Sequence, residues 1–230
     1  MIISHKYRFI FIKCHKTAGT SIETYLSPLC GQDDVFTPFG IPEHGHQPRN
    51  YKGLFNPFNE IFVTSGNNWQ KPIRDFRRKN KFFNHIAAFR VRCRVQRKIW
   101  DGYFKFCVER NPWDKALSHY HFIRKRFGID VSFDTYLKEG RTCLNFQNYT
   151  DFGNPNKIIV DRILIYENLN EELQNVFDLL GIPFSGRLGV RAKGGYRLDK
   201  GPYQENLNSD QIEKIKRIYQ HEINLHNFEF

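Results

Sequence analysis

The chain has 230 residues, enough for one ordinary domain with a sizeable core, and its 22 Phe and 11 Tyr point to a core packed on rings. A charged fraction of 26% excludes disorder over most of the chain, and no apolar stretch approaches the length of a membrane span. The net charge of +11 is local: residues 71–98 hold eleven Lys or Arg against the single acid Asp75, leaving the rest near neutral at +1 and pointing to a polyanionic partner, with nucleic acid, an anionic membrane and an acidic glycan all open.

Residues 7–14 (YRFIFIKC) are β-branched and aromatic and read as a buried strand. A turn over residues 16–19 follows, and a helix begins at Thr20 with Ile22, Tyr25 and Leu26 on its apolar face, stopped by Pro28 and Gly31. Residues 31–70 are rich in Gly, Pro and Asn and read as irregular structure with lids or short strands. Residues 103–109 (YFKFCVE) form the next strand. Asn111 then caps a helix with Pro112 in its first position and Asp114 at the positive end of its dipole, running to about Phe127 before Gly128. A third strand is expected over residues 157–165, then a helix capped by Asn170 and ended by Gly181 and Pro183, and a last helix over residues 209–226. This alternation predicts an α/β fold, a P-loop-like single domain over residues 1–230 with a central parallel sheet flanked by helices.

A strand that ends in a tight turn and feeds a helix offers unpaired backbone N–H groups and a positive dipole to an anion. In the turn His15-Lys16-Thr17-Ala18-Gly19-Thr20-Ser21, Lys16 adds a mobile charge, Thr17, Thr20 and Ser21 add hydroxyl donors, and Gly19 permits close backbone approach. A Walker A loop requires a Lys directly after its second glycine; here Lys16 precedes Gly19, which disfavours a nucleotide kinase or hydrolase. Asp161, after Ile158-Ile159-Val160, imitates a magnesium-holding strand end but lacks that partner loop.

The segment Phe11-Ile12-Lys13-Cys14-His15-Lys16-Thr17-Ala18-Gly19-Thr20-Ser21-Ile22-Glu23 resembles the 5′-phosphosulfate loop of the carbohydrate-type sulfotransferases that use 3′-phosphoadenylyl sulfate (PAPS), in the heparan 2-O-sulfotransferase-like branch. His15 departs from the proline usual in that loop. Arg110-Asn111-Pro112-Trp113, followed by Ser118 and Tyr120, is similar to the same family's 3′-phosphate motif, in which the Arg leaves a strand and a Ser eight residues on joins it. The resemblance implies that Lys16, Thr17, Ala18, Gly19, Thr20 and Ser21 hold the 5′-phosphosulfate and that Lys16 also stabilises the departing charge. It implies that Arg110 and Ser118 hold the 3′-phosphate, and it likens the loop Arg191-Ala192-Lys193-Gly194-Gly195 to the late loop that closes over that phosphate, against the alternative of an exposed turn. Tyr166-Glu167-Asn168-Leu169 resembles a family strand end, with a core tyrosine as the preferred reading.

The reaction needs a base for the acceptor hydroxyl, and an imidazole suits neutral pH. The resemblance favours His85, in Asn84-His85-Ile86-Ala87-Ala88, with His46 in reserve; His44-Gly45-His46 lacks a third metal ligand, so no metal is expected. Residues 89–95 alternate apolar residues with Arg90, Arg92 and Arg94 as a strand would, whereas the resemblance favours a helix, which is the reading taken. In either form these arginines are expected to concentrate charge at the acceptor mouth. The expected enzyme moves a sulfuryl group from PAPS, released as 3′,5′-phosphoadenosine, to a hydroxyl of a carbohydrate or other anionic glycan-like acceptor. A basic nucleic-acid binder is the non-enzymatic alternative; it lacks a recognisable module, so no nucleic-acid partner is expected, and no oligomeric state is assigned. Five cysteines without a CxxC pair and the lack of a signal pattern lead to the expectation of a cytoplasmic chain.

Overall fold

The apolar run predicted as the first strand is buried on both sides, and alternation sends its side chains to two cores. A computed structural model describes residues 1–40, 44–66, 69–189 and 201–230. In it, Ile2–Ser4 (β1) and Phe9–Ile12 (β2) form a hairpin that feeds the helix Gly19–Leu26 (α1). Val35–Phe36 (β3) adds to the outer edge of β1. Two short helices, Pro57–Val63 (α2) and Gln70–Arg77 (α3), precede Ala88–Arg94 (α4) and Arg97–Gly102 (α5). Phe104–Glu109 (β4) leads into Pro112–Phe127 (α6), then Phe133–Lys138 (α7) and Phe146–Tyr149 (α8). Thr150–Asp151 (β5) and Asn154–Ile158 (β6) form a separate hairpin, and Arg162–Ile165 (β7) returns to the main sheet before Leu169–Leu180 (α9). Ser209–Ile218 (α10) and Gln220–His226 (α11) follow.

The main sheet has the order β3-β1-β2-β4-β7. Strands β2, β4 and β7 run parallel, giving the expected α/β centre, while β1 and β3 extend it antiparallel at one edge. Ile10 and Ile12 face a core with Val91 and Trp100; Phe9 and Phe11 face the other with Ile22, Leu26, Phe106, Val176 and Phe177. A third cluster, with Trp113, Tyr136, Ile215 and Tyr219, joins α6, α7 and α10.

The helix read from Asn111 and Pro112 forms as expected: the Asn111 side chain accepts from Trp113 N–H, and Gly128 ends α6 at φ 63°. The segment after His85 is a helix. Arg90 and Arg94, one turn apart, both reach Glu60, which alternation along a strand would not require. Four expectations need correction. Residues 31–70 are not confined to irregular structure and short strands, because Asn56 caps the helix α2 with its side chain accepting from the Phe58 N–H. The run 157–165 is not one strand, because β6 is exposed and pairs with β5, while the Asp161 N–H donates to the Lys105 carbonyl and its carboxylate accepts the Lys105 N–H, just before the new strand at Arg162. Asn170 does not cap its helix; α9 starts at Leu169 after a 3-10 turn over Tyr166–Asn168, although Gly181 ends it at φ 66°. The last helix is two, since Tyr219 departs from helical backbone at φ −103° with its ring fully buried, although Asn208 and Gln211 make a reciprocal capping box at its start.

Candidate active site

Strand β2 ends at Ile12, and the chain crosses to α1 through residues 13–18, where Lys16 (φ 62°) and Ala18 (φ 59°) both adopt left-handed backbone. Ala18 stands at the helix N-cap without a side-chain cap bond, and Ile22 N–H is the donor to its carbonyl. The amides of the first turn of α1 lack helical acceptors by construction, so the N-terminus presents donors and a positive dipole at the turn. Gly19 is required by space rather than by its dihedral angle: a Cβ there would stand 2.7 Å from Cγ of Lys13. The Lys13 stem passes under the turn, and its ammonium pairs with the buried Glu23 carboxylate of α1 at 2.6 Å. This buried pair staples the strand end to the helix on either side of the turn.

Arg110 follows β4, beside β2 in the sheet, and arrives against the turn. Its Nη1 donates to the Lys16 carbonyl at 3.1 Å, and Nε and Nη2 donate to Asp114 at 2.9 and 2.5 Å. The guanidinium lies 4.2 Å from the centre of the Tyr166 ring at the end of β7. Tyr166 is thus a wall of the site and also packs, half-buried, against the core of Phe106 and Leu164, in keeping with the core reading preferred from sequence. Ser118 is half-buried one helical turn beyond Asp114, on the same side of α6. Ala18, Ser21, Asp114, Tyr166, Glu167 and Arg187 line a cleft of about 870 Å³ between the turn and the 3-10 segment. Arg191, Lys193 and Gly194 lie outside the described residues.

His85 reaches the same turn from the other side. Its backbone is left-handed at φ 57°, its Nδ1 lies 3.1 Å from the Lys13 carbonyl, and its ring stacks on His15 at 3.7 Å and 11°. A carbonyl only accepts, so Nδ1 carries the proton and Nε2 keeps its lone pair. Burial, reinforced by His15 and Lys13, holds His85 well below the usual histidine range. His15 is pushed down to about 4, by burial first and then by Lys13, Lys115 and Lys16. His46 stands apart from this stack, against Phe39 at 3.7 Å with its buried Nε2 unpartnered.

Several residues of the site were not singled out by sequence reasoning. His119, next to Ser118, bonds Tyr136 at 3.0 Å and is pushed down to about 4 by burial and then by Lys16 and His15. Behind the turn, Glu109, Lys115 and Glu222 form a buried charged cluster, with Lys115 Nζ 2.9 Å from Glu109 and 2.5 Å from Glu222. Burial works against the Lys115 charge, but the two carboxylates outweigh it and raise its pKa. The expected basic acceptor mouth is partly cancelled. Arg90 pairs with Glu60; Arg94 pairs with Glu60 at 2.8 Å and Asp75 at 2.9 Å; Arg92 pairs with Asp151 at 3.1 Å. Burial without these acids would cost far more than the pairs do, so Arg90 and Arg94 tie α2, α3 and α4 together. The exposed charge lies instead on and after α3, at Arg74, Arg77, Arg78 and Lys79, and on α5 at Lys98 and at Arg97, which pairs with Asp101.

Among the described residues, no group of three or more His, Cys, Asp or Glu is arranged to hold a metal, and no helix is long and apolar enough to cross a membrane. The chain is 40% identical over 118 residues to an Archaeoglobus fulgidus protein that carries the name "Uncharacterized protein", a match covering 49% of this chain and 98% of that one. It is also similar to the crystal structure of a sulfotransferase from Alicyclobacillus acidocaldarius, with 16% identity, a TM-score of 0.39 and 96% of each chain covered. The family model described as the sulfotransferase family matches residues 1–229, nearly the whole of the domain that carries the turn, Arg110 and His85, and the chain is accordingly a member of the sulfotransferase family, enzymes of sulfuryl transfer.

Proposed function

We propose that this enzyme takes its sulfuryl group from PAPS and delivers it to a hydroxyl of an acid-bearing acceptor such as an anionic saccharide. The observation that carries the reading is the contact of Arg110 with the Lys16 carbonyl, because it joins the two phosphate-binding segments into one site. The cleft of about 870 Å³ is within the range that holds a nucleotide-sized ligand, and Ala18 and Ser21 of the turn are among its walls. Lys16, Thr17, Ala18, Gly19, Thr20 and Ser21 would hold the 5′-phosphosulfate. Arg110 and Ser118 would hold the 3′-phosphate. When bound, PAPS supplies the sulfuryl group and leaves as 3′,5′-phosphoadenosine.

Three of the five Arg110 N–H groups are engaged by Asp114 and Lys16, so the guanidinium is aimed before a ligand arrives. Lys16 and the first amides of α1 place positive charge where the leaving oxygen becomes negative. His85, held neutral with Nε2 as its free lone pair, takes the proton of the acceptor hydroxyl while that oxygen bonds to sulfur. The exposed Arg74, Arg77, Arg78 and Lys79 supply the attraction for an anionic acceptor. Five free thiols support a reducing, cytoplasmic setting. A nucleotide kinase or hydrolase is less well supported: the Asp161 carboxylate, which a magnesium site would need, is 2.7 Å from the Lys105 amide and 2.9 Å from its ammonium.

Calorimetric titration with 3′,5′-phosphoadenosine and a labelled-PAPS turnover assay test the proposal. Lys16→Ala and Arg110→Ala are each expected to weaken nucleotide binding by about tenfold or more, the scale of one charge-assisted bond. His85→Ala is expected to bind nucleotide like the parent and to lose turnover by about 100-fold or more. Retained turnover in His85→Ala would move the base to another residue.

A further inference from the structure

The buried side chain of Asn145, from a segment 130 residues away, treats the turn as a strand would treat its neighbour. Its Oδ1 accepts from the His15 N–H at 2.9 Å, and its Nδ2 donates to the His15 carbonyl at 3.0 Å. Asn145 is fully buried and held from behind: Nδ2 also donates to Glu109 at 3.1 Å, and its backbone N–H donates to Glu222. Glu109 in turn accepts the Arg110 N–H at 2.9 Å, the Lys115 ammonium at 2.9 Å and the Tyr149 hydroxyl at 3.0 Å. One carboxylate therefore touches both halves of the site, the Arg110 backbone directly and the turn through Asn145.

His15 is where this chain departs from the proline usual in such loops, and a proline has no N–H to donate. A histidine restores a donor, and a fully buried asparagine accepts it. We infer that Asn145 is a positioning residue for the cofactor: its paired hydrogen bonds to the His15 backbone hold the turn at a fixed distance from Arg110. This rests on the reading that the turn holds the 5′ end of the nucleotide. Residue 145 acts through the turn and touches no reacting atom. The gain comes from pre-organisation, since a turn already fixed loses less freedom on binding.

The test is titration of the parent, Asn145→Ala and His15→Pro with 3′,5′-phosphoadenosine and with 3′-AMP, which lacks the 5′-phosphate. Asn145→Ala is expected to lose about tenfold or more in affinity for the bisphosphate and to keep its affinity for 3′-AMP. His15→Pro removes only one of the two bonds and sits at a turn, so it remains informative if Asn145→Ala fails to fold. Its expected loss is a few-fold, again confined to the bisphosphate. Equal losses for both ligands, or none, in the folded variants would overturn the positioning role while leaving the sulfotransferase reading intact. A parent protein that binds the bisphosphate no better than 3′-AMP would overturn the reading of the turn, and the role of Asn145 with it.

Discussion

His85 reaches the turn with a left-handed backbone that histidine adopts more readily than most residues, and its protonation follows from burial and its neighbours. The Lys13 carbonyl fixes the proton on Nδ1, and burial first, then His15 and Lys13, disfavours a positive charge on the ring. The sign of the pH effect follows. A base with a lowered pKa is already deprotonated at the ordinary histidine value of about 6.5, so activity is lost only as pH falls further. The acid limb of kcat/KM is expected to have its midpoint below about pH 6.5, and a pH–rate profile checks this. A midpoint at or above that value would mean that another group governs the limb. The residue scale also marks the limit of sequence reading. His85 was reachable because its segment resembles a known one, whereas Asn145 and Glu222 carry no local pattern and meet the turn only through the fold.

At the scale of elements, the buried cluster of Glu109, Lys115 and Glu222 joins the end of β4, the first turns of α6 and the helix α11. Removing one member leaves an uncompensated charge in a dry interior. Lys115→Ala is therefore expected to cost about 3–5 kcal/mol of folding stability, measured by urea unfolding. A loss under about 1 kcal/mol would show that water reaches the cluster. The elements that sequence located best were those with chemical end signals: Asn111, Pro112 and Gly128 bound α6, and Gly181 ends α9. Those it misplaced had uniform character. Residues 157–165 read as one strand because nothing in the run shows that Asp161 will bond Lys105, and the break at Tyr219 depends on packing against α6 and α7. The short β1, of three residues, gained strand form from its pairing with β2, and β3, of two, from its pairing with β1. The helix α4 was separable from a strand only through the resemblance, since its alternating arginines satisfy the strand period equally well.

At the scale of the molecule, the +10 segment is not a uniform basic face. Glu60 and Asp75 neutralise its buried arginines and Asp151 the half-buried Arg92, so the field at the surface comes from α3, the residues just after it and Lys98 of α5. The parallel strands β2, β4 and β7 bring the turn, Arg110 and Tyr166 to one edge of the sheet, the place where α/β proteins hold ligands. On the proposed reading, the turn and Arg110, carried by adjacent strands, meet the two ends of one ligand: a nucleotide with phosphates at both its 3′ and 5′ positions. Thermal unfolding of the parent protein with saturating 3′,5′-phosphoadenosine, set against ATP with magnesium, tests this most directly. At about 100 times the dissociation constant, the bisphosphate is expected to add about 2.7 kcal/mol, visible as a rise of several degrees, with no rise for ATP and magnesium. Stabilisation by ATP and magnesium with none from the bisphosphate would contradict the account.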